Sequence, residues 1–286
     1  MRFCIADALF LYNDPKGIRW SRMITVAFLC AGLMFLCPDL VQGQDSVKQT
    51  KHVSGPAGWG FKVEPYLMLP AMNGQVGVGN LPAADLNASV SDIFSKLKFG
   101  AMLNVEASNP KWTIGVDFLY MNLEQDLKAS NLINSGKVNA KQMGLEVYGM
   151  RKLRPWLEVG AGALWNSLSM EMDIVQNQVG GSTISRSGEQ TKSWVDPMIM
   201  ARVKTPGANT PKKLYGVLKG DIGGFGVGSD FAWQLQVSGG YRFSRLFDMS
   251  IGYRFIGLDY TDESDGKAFV YDVVTSGLMI RLGFVF

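Results

Sequence analysis

The stretch that decides the fold is the last one, Phe269–Phe286, which reads FVYDVVTSGLMIRLGFVF. Counted back from the end, every second residue is apolar: Phe286, Phe284, Leu282, Ile280 and Leu278. The residues between them are mostly small and include one charge: Val285, Gly283, Arg281, Met279 and Gly277. Because successive side chains of a strand point to opposite faces, this pattern predicts an amphipathic strand with one wholly apolar face.

A strand that ends the chain on an aromatic residue resembles the last strand of bacterial outer-membrane β-barrels. In that family the terminal aromatic belongs to the signal read by the barrel assembly machinery. The resemblance therefore implies an assembly signal at Phe284 and Phe286. The alternative is an ordinary amphipathic strand of a soluble β-sandwich.

The composition favours a protein built from many strands and turns. The chain has 286 residues, of which 47% are hydrophobic, 19% are charged and 33 are Gly. A net charge of +3, with no basic run longer than two residues, gives no reason to expect nucleic acid as a partner.

The N-terminal region predicts a secretory signal peptide over residues 1–43. A short apolar run, 24–36, follows basic residues and precedes the small-residue site Val41-Gln42-Gly43. Residues 1–22 are long for a charged region, which would fit a misassigned start codon. The three cysteines, Cys4, Cys30 and Cys37, all lie within this segment, and neither Cys30 nor Cys37 follows a lipobox. We expect a flexible tail over 44–57 and a single domain over 58–286.

The remaining chain predicts an all-β fold, a single antiparallel up-and-down transmembrane β-barrel. Eight or twelve strands are the alternatives to the ten that we count. The ten period-two segments are 59–69, 98–107, 112–123, 138–153, 156–170, 194–204, 214–224, 231–243, 248–260 and 269–286. An even number lets the first segment pair with the last. The connection 70–97 should hold one helical turn around Asp92-Ile93-Phe94, capped by Ser89 or Ser91. Polar loops are expected at 124–137 and 173–193.

The connections alternate between short and long, as they do in outer-membrane barrels. Their phase predicts that both termini lie in the periplasm. Expected partners are outer-membrane lipid, the barrel assembly machinery and periplasmic chaperones.

The less apolar strand faces carry charges in mid-strand, which predicts a charge network inside the barrel. Seven acids face six bases, and unpaired charges in a narrow lumen would be costly. We expect Glu64 and Arg281 to lie within about 6 Å of each other across the closing seam. The predicted network comprises Lys62, Glu64, Glu106, Asp117, Glu146, Glu158, Asp196, Arg202, Lys219, Asp221, Arg242, Arg254 and Arg281.

Several short motifs resemble a widespread, uncharacterised proteobacterial group of small outer-membrane barrels of the OmpA/OmpX type. They are Trp194-Val-Asp-Pro197, Gly220–Asp230, Gly240-Tyr-Arg-Phe243 and Gly252-Tyr-Arg-Phe255. The group implies a location and a fold, but no activity. The glycines of 223–228 predict a tight bend rather than a phosphate-binding loop, because no helix follows them.

An enzyme is not predicted, because the single histidine, His52, lies in the tail. A catalytic site made of carboxylates alone, Asp117 with Glu146, stays open. The alternative is that Arg254 or Lys219 neutralises this pair. We predict no cofactor and no metal. The acidic residues Asp259, Asp262, Glu263 and Asp265 predict a solvated loop, with a surface site for a divalent cation as the alternative. The expected function is a structural or surface-interaction role in the envelope, with an unidentified loop ligand. The alternative is a narrow passive channel for small solutes.

Overall fold

The computed structural model describes residues 58–79, 84–127, 133–177, 183–205, 213–264 and 267–286. The expected signal peptide and tail, 1–57, lie outside the described residues. The elements, in chain order, are β1 Gly60–Gly79, β2 Ala84–Ala88, α1 Val90–Lys96, β3 Leu97–Ser108, β4 Trp112–Leu127, β5 Ile133–Arg154, β6 Leu157–Asn177, β7 Thr183–Lys204, β8 Leu214–Gly224, β9 Phe231–Arg242, β10 Phe247–Ser264 and β11 Lys267–Val285.

The strands form a closed antiparallel barrel. Each strand from β3 to β11 pairs with its neighbour in sequence, and β11 returns to pair with β1. In this closing seam Tyr66 lies opposite Arg281 and Leu69 opposite Leu278. The predicted ten-stranded barrel and its predicted closing pair are thus confirmed, with β2 as one short extra strand.

The apolar strand faces point outward. On β11, Leu278 and Leu282 are each 38% exposed, whereas Met279 between them is 1% exposed. A soluble barrel would bury its apolar face, whereas a membrane barrel presents it to lipid. The exposed aromatic and aliphatic side chains form an apolar belt around the barrel, including Phe61, Leu67, Trp112, Ile114, Trp156, Ile199, Ile222, Phe243, Ile251, Leu278 and Phe284.

Several strands continue far beyond this belt. β5, β6 and β7 have 22, 21 and 22 residues, whereas β8 and β9 have 11 and 12. The loops predicted at 124–137 and 173–193 are therefore wrong over most of their length. Outside the belt both faces of a strand meet water, so apolar and polar residues do not alternate in the sequence. The backbone hydrogen bonds between neighbouring strands nevertheless continue there. We call this side the extended end, and the side with Gly60 and Val285 the terminal end.

The connection after β1 also holds more structure than expected. β1 runs to Gly79, and its distal part pairs with β2 from Met72 to Val76. The predicted end of the first strand at residue 69 is therefore wrong, as is the prediction that 70–97 is a connection holding only one helical turn. The predicted helical turn is confirmed as α1. Ser89 caps it, since its hydroxyl accepts from the Asp92 N–H while the Asp92 side chain accepts from the Ser89 backbone. Within the described residues, no helix has the length and apolarity needed to cross a bilayer.

Candidate functional site: the barrel lumen

The side chains that face the lumen change character along the barrel axis. On β4 the lumen face passes from Asp117 to Leu119 and Met121 towards the extended end, and all three are buried. On β10 it passes from Arg254 to Leu258. The lumen therefore has a charged layer near the terminal end and an apolar layer near the extended end.

Arg202 is the centre of one group of ion pairs in the charged layer. Its guanidinium contacts Glu106 and lies 2.5 Å (Nη2 to Oε2) from Glu158. The other carboxylate oxygen of Glu158 is 2.8 Å from the Lys204 ammonium. Tyr148 donates its hydroxyl to Glu106 at 2.6 Å. These residues come from β3, β5, β6 and β7, so the group bridges one side of the lumen.

Asp117 is the centre of a second group. It accepts from the Tyr66 hydroxyl at 2.6 Å and from Arg254 Nη1 at 3.1 Å. Arg281 Nη2 lies 3.6 Å from the same carboxylate, and its Nη1 lies 3.9 Å from Glu64 Oε2. The predicted proximity of Glu64 and Arg281 across the closing seam is confirmed.

Lys219 links the two remaining carboxylates at this level. Its ammonium lies 2.9 Å from Glu146 and 3.1 Å from Asp221. Asp117 and Glu146, the carboxylate pair that the sequence left open as a site, are directly opposite each other in the β4–β5 pairing. Each carboxylate has its own cationic partner, Arg254 for Asp117 and Lys219 for Glu146. This arrangement agrees with the alternative in which basic side chains neutralise the pair.

The charged layer ends near the rim of the barrel at Lys62. Its ammonium lies 2.8 Å from Glu64 and 3.1 Å from Asp248, and Asp248 also accepts from the Tyr215 hydroxyl at 2.7 Å. Arg242 is opposite Asp248 in the β9–β10 pairing. Sequence reasoning missed Asp248 and Lys204. Both continue the period-two pattern of a lumen face, but each stands at a strand end, where the assignment stopped.

Asp196 has a different environment from the one predicted. Among the described residues it contacts no basic side chain. Its carboxylate instead accepts from Asn166 Nδ2 at 3.1 Å, Trp194 Nε1 at 3.0 Å, and the Ser229 N–H and hydroxyl at 2.5 and 2.9 Å. Asp196 is fully buried, and these donors satisfy its charge without an ion pair. It therefore anchors the β8–β9 turn to β7.

The glycines of this turn have structural roles, which confirms the predicted tight bend. Gly224 and Gly226 have φ of 84° and 73°, in the left-handed region that glycine adopts without strain. A Cβ on Gly228 would lie 2.5 Å from the Val195 carbonyl oxygen. The Trp194-Val-Asp-Pro197 and Gly220–Asp230 motifs are therefore two halves of one anchored turn.

The apolar layer occupies the lumen between the charged layer and the extended end. Trp194 stacks on Tyr260 with ring centroids 4.0 Å apart and an interplanar angle of 9°. Ile93 of α1 is 2% exposed and packs into the same cluster. Other buried members of this cluster include Met68, Met72, Met102, Leu119, Met121, Leu164, Met198, Leu258, Phe269, Tyr271 and Val273.

Beyond the belt, the strand extensions carry their own ion pairs. Glu124 lies 2.7 Å from Lys98 and 2.8 Å from Lys137. The hydrogen bonds from Lys137 and Lys98 lower the pKa of the Glu124 carboxyl from 4.5 to about 2. In the acidic segment 259–265, Asp262 lies 2.6 Å from Lys192 of β7.

Comparisons with known proteins give similarity at the level of shape only. No protein-family model matches the chain, and no curated protein matches it significantly. Among solved structures, Ail, the attachment invasion locus protein of Yersinia pestis, is 11% identical with a TM-score of 0.31, covering 80% of this chain and 99% of that one. The Pseudomonas putida toluene transporter TodX is 7% identical with a TM-score of 0.33, covering 81% and 89%. The CymD monoaromatic hydrocarbon channel is 10% identical with a TM-score of 0.32, covering 83% and 89%. At these scores the likeness carries no argument about what this chain does.

Proposed function

We propose that this protein is an integral outer-membrane β-barrel without catalytic activity, closed to solutes, with a structural or surface-interaction role. The observation that carries the proposal is the charged layer. Its side chains come from strands all around the barrel and neutralise one another at short range, so they occupy the lumen where an open pore would hold water. Lys62, Asp117, Arg202, Lys219 and Arg281 are its main contributors.

The outward apolar belt supports the membrane location. The strands cross it as one closed antiparallel sheet, the arrangement that lets backbone groups pair with one another inside a bilayer. We place both termini in the periplasm, which would direct the long extensions of β5, β6 and β7 to the cell exterior. On this reading the barrel contacts outer-membrane lipid, and the extensions offer the surface for an external ligand.

Conductance in a planar lipid bilayer tests the closed lumen. We expect no steady openings from the wild-type protein. The double variant Glu106→Ala/Arg202→Ala removes one acid and one base and leaves Glu158 paired with Lys204, so water should fill the space and a steady conductance should appear. Val203→Ala, which changes the outward-facing neighbour of Arg202, is the matched control and should stay silent.

Heat-modifiable migration on a gel shows that each variant is folded before it is measured. Steady openings in the wild type would overturn the closed lumen and favour the narrow passive channel. Recovery of the protein in soluble rather than outer-membrane fractions would overturn the location.

A further inference from the structure

The strand connections at the terminal end carry basic side chains that the charged layer does not use. Four connections reach this end, those from β3 to β4, β5 to β6, β7 to β8 and β9 to β10. Each of them has one exposed basic residue in it or directly at its border: Lys111, Arg154, Lys213 and Arg245. The cations are therefore spread around the barrel at one level.

A fifth exposed cation, Arg151 of β5, lies at the same end on the outer face of the barrel. Its neighbour Met150 is 0% exposed and faces the lumen, so Arg151 faces outward. It is opposite Trp112 in the β4–β5 pairing, and that tryptophan belongs to the apolar belt. We call Lys111, Arg151, Arg154, Lys213 and Arg245 the basic rim.

The basic rim has no acidic partner within the part of the chain that the structure describes. None of its five residues takes part in an ion pair there. The acidic side chains described at this end all face the lumen and have basic partners in it: Glu64, Glu106, Glu158 and Asp248. The positive charge of the rim is thus left for an anion from outside the chain.

The basic rim is also interleaved with exposed apolar side chains. Trp112 follows Lys111, Leu214 follows Lys213, and Leu246 follows Arg245. The Lys213 ammonium lies 5.8 Å from the ring centre of Tyr241, an outward-facing residue of β9. Long basic side chains at the edge of a membrane lay their stems along apolar surface and keep their charge at the depth of the lipid headgroups.

We propose that the basic rim binds the phosphate groups of anionic phospholipids, such as phosphatidylglycerol, in the membrane leaflet at the terminal end. A phospholipid matches both features of the rim, because its phosphate pairs with the cations while its acyl chains cover the apolar neighbours. Arginine suits a phosphate with two parallel hydrogen bonds, and lysine suits it as a point charge. This inference rests on the membrane location proposed above, and it adds a lipid class and a leaflet.

Electron spin resonance of spin-labelled lipids tests the proposal, because lipids that touch the barrel are slowed and can be counted. The wild-type barrel is reconstituted in phosphatidylcholine vesicles with a trace of labelled phosphatidylglycerol or labelled phosphatidylcholine. Phosphatidylglycerol should be enriched about threefold over phosphatidylcholine among the slowed lipids. Salt at about 1 M should remove most of this preference, because it screens exposed charges.

Two quadruple variants separate charge from shape. Lys111→Gln/Arg154→Gln/Lys213→Gln/Arg245→Gln removes the charges of the four connections and should bring the preference close to one. The matched control, Lys111→Arg/Arg154→Lys/Lys213→Arg/Arg245→Lys, keeps every charge and should keep the preference. Heat-modifiable migration shows that each variant is folded, and if the neutral variant does not fold, the salt dependence in the wild type decides alone.

Three results would overturn the proposal: no preference in the wild type, an unchanged preference in the folded neutral variant, or a preference that does not respond to salt. In each of them the barrel is inserted, so the membrane location would still stand. A wild-type chain that does not insert into vesicles would overturn both the location and the lipid site.

Discussion

Several lumen glycines make room for an aromatic ring on the neighbouring strand. Gly240 of β9 lies opposite Tyr215 of β8, and Gly115 of β4 lies opposite Tyr148 of β5. A Cβ on Gly240 would lie 2.2 Å from Cζ of Tyr215. The ring is held in place because its hydroxyl donates to Asp248. This geometry gives a physical reason for the glycine in Gly240-Tyr-Arg-Phe243.

We expect Gly240→Ala to destabilise the barrel by about 1–3 kcal/mol, as overpacking of a filled interior does. The Tyr215 ring would have to leave Asp248, which weakens the contacts of Lys62 as well. The free energy of unfolding in urea, measured in lipid vesicles, checks this. Gly239→Ala is the matched control, because a Cβ there meets nothing closer than 4.0 Å. Equal losses in the two variants would contradict the role assigned to Gly240.

At the level of elements, the strand extensions beyond the belt depend on ladders and surface ion pairs rather than on a core. Glu124 of β4 joins Lys98 of β3 to Lys137 of β5, so it ties three successive strands together at the point where the apolar belt ends. Such exposed pairs are individually weak and are screened by salt.

The lowered pKa of Glu124 makes this link sensitive to acid. A carboxyl whose pKa is lower in the folded state stabilises the fold above its ordinary pKa, and that contribution is lost as the pH falls. For Glu124 this loss occurs in the window between pH 4.5, the ordinary pKa of the carboxyl, and about pH 2, its lowered pKa. Amide hydrogen exchange in β4 and β5 should therefore show more protection in the wild type than in Glu124→Gln above this window. The difference should shrink through the window and vanish below it; a difference that does not vary with pH would contradict the link.

At the scale of the whole molecule, the last residue completes the closure of the sheet. The Phe286 N–H donates to the Phe61 carbonyl at 2.9 Å, and the Phe61 N–H donates back at 3.1 Å. The Phe286 ring itself is 60% exposed. The backbone of this residue thus belongs to the seam, whereas its ring is available to another molecule.

We predict that the ring acts in assembly, as part of the signal proposed for Phe284 and Phe286. Phe286→Ala keeps both backbone hydrogen bonds and should still lower the amount of assembled protein in the outer membrane. The same variant should refold normally from urea into detergent, where no assembly machinery is present. If only deletion of Phe286 lowers the yield, the residue acts through the seam and not through its ring.

Much of the fold could be predicted from the sequence, because strand alternation is a local property. The period-two pattern within the belt identified the ten barrel strands, and a Ser cap at 89 or 91 ahead of Asp92-Ile93-Phe94 identified α1. The strand extensions could not be predicted in this way. Thr183–Ser193 of β7 has polar residues on both faces, so its sequence does not differ from that of a loop.

Part of the candidate site could likewise be predicted from the sequence, and part could not. Strand alternation is enough to predict which charges share a face. Strand order then predicts that Glu64 and Arg281 meet, because it makes the first and last strands neighbours at the seam. Tertiary structure alone decided the partners of the other charges, because contacts across a lumen depend on the stagger of strands far apart in sequence. It also decided that Asp196 binds a turn instead of a cation, and that Glu146 and Gln234 each keep one buried polar atom without a hydrogen-bond partner among the described residues. No pattern along one strand contains that information, since these atoms come from strands that meet only when the barrel closes.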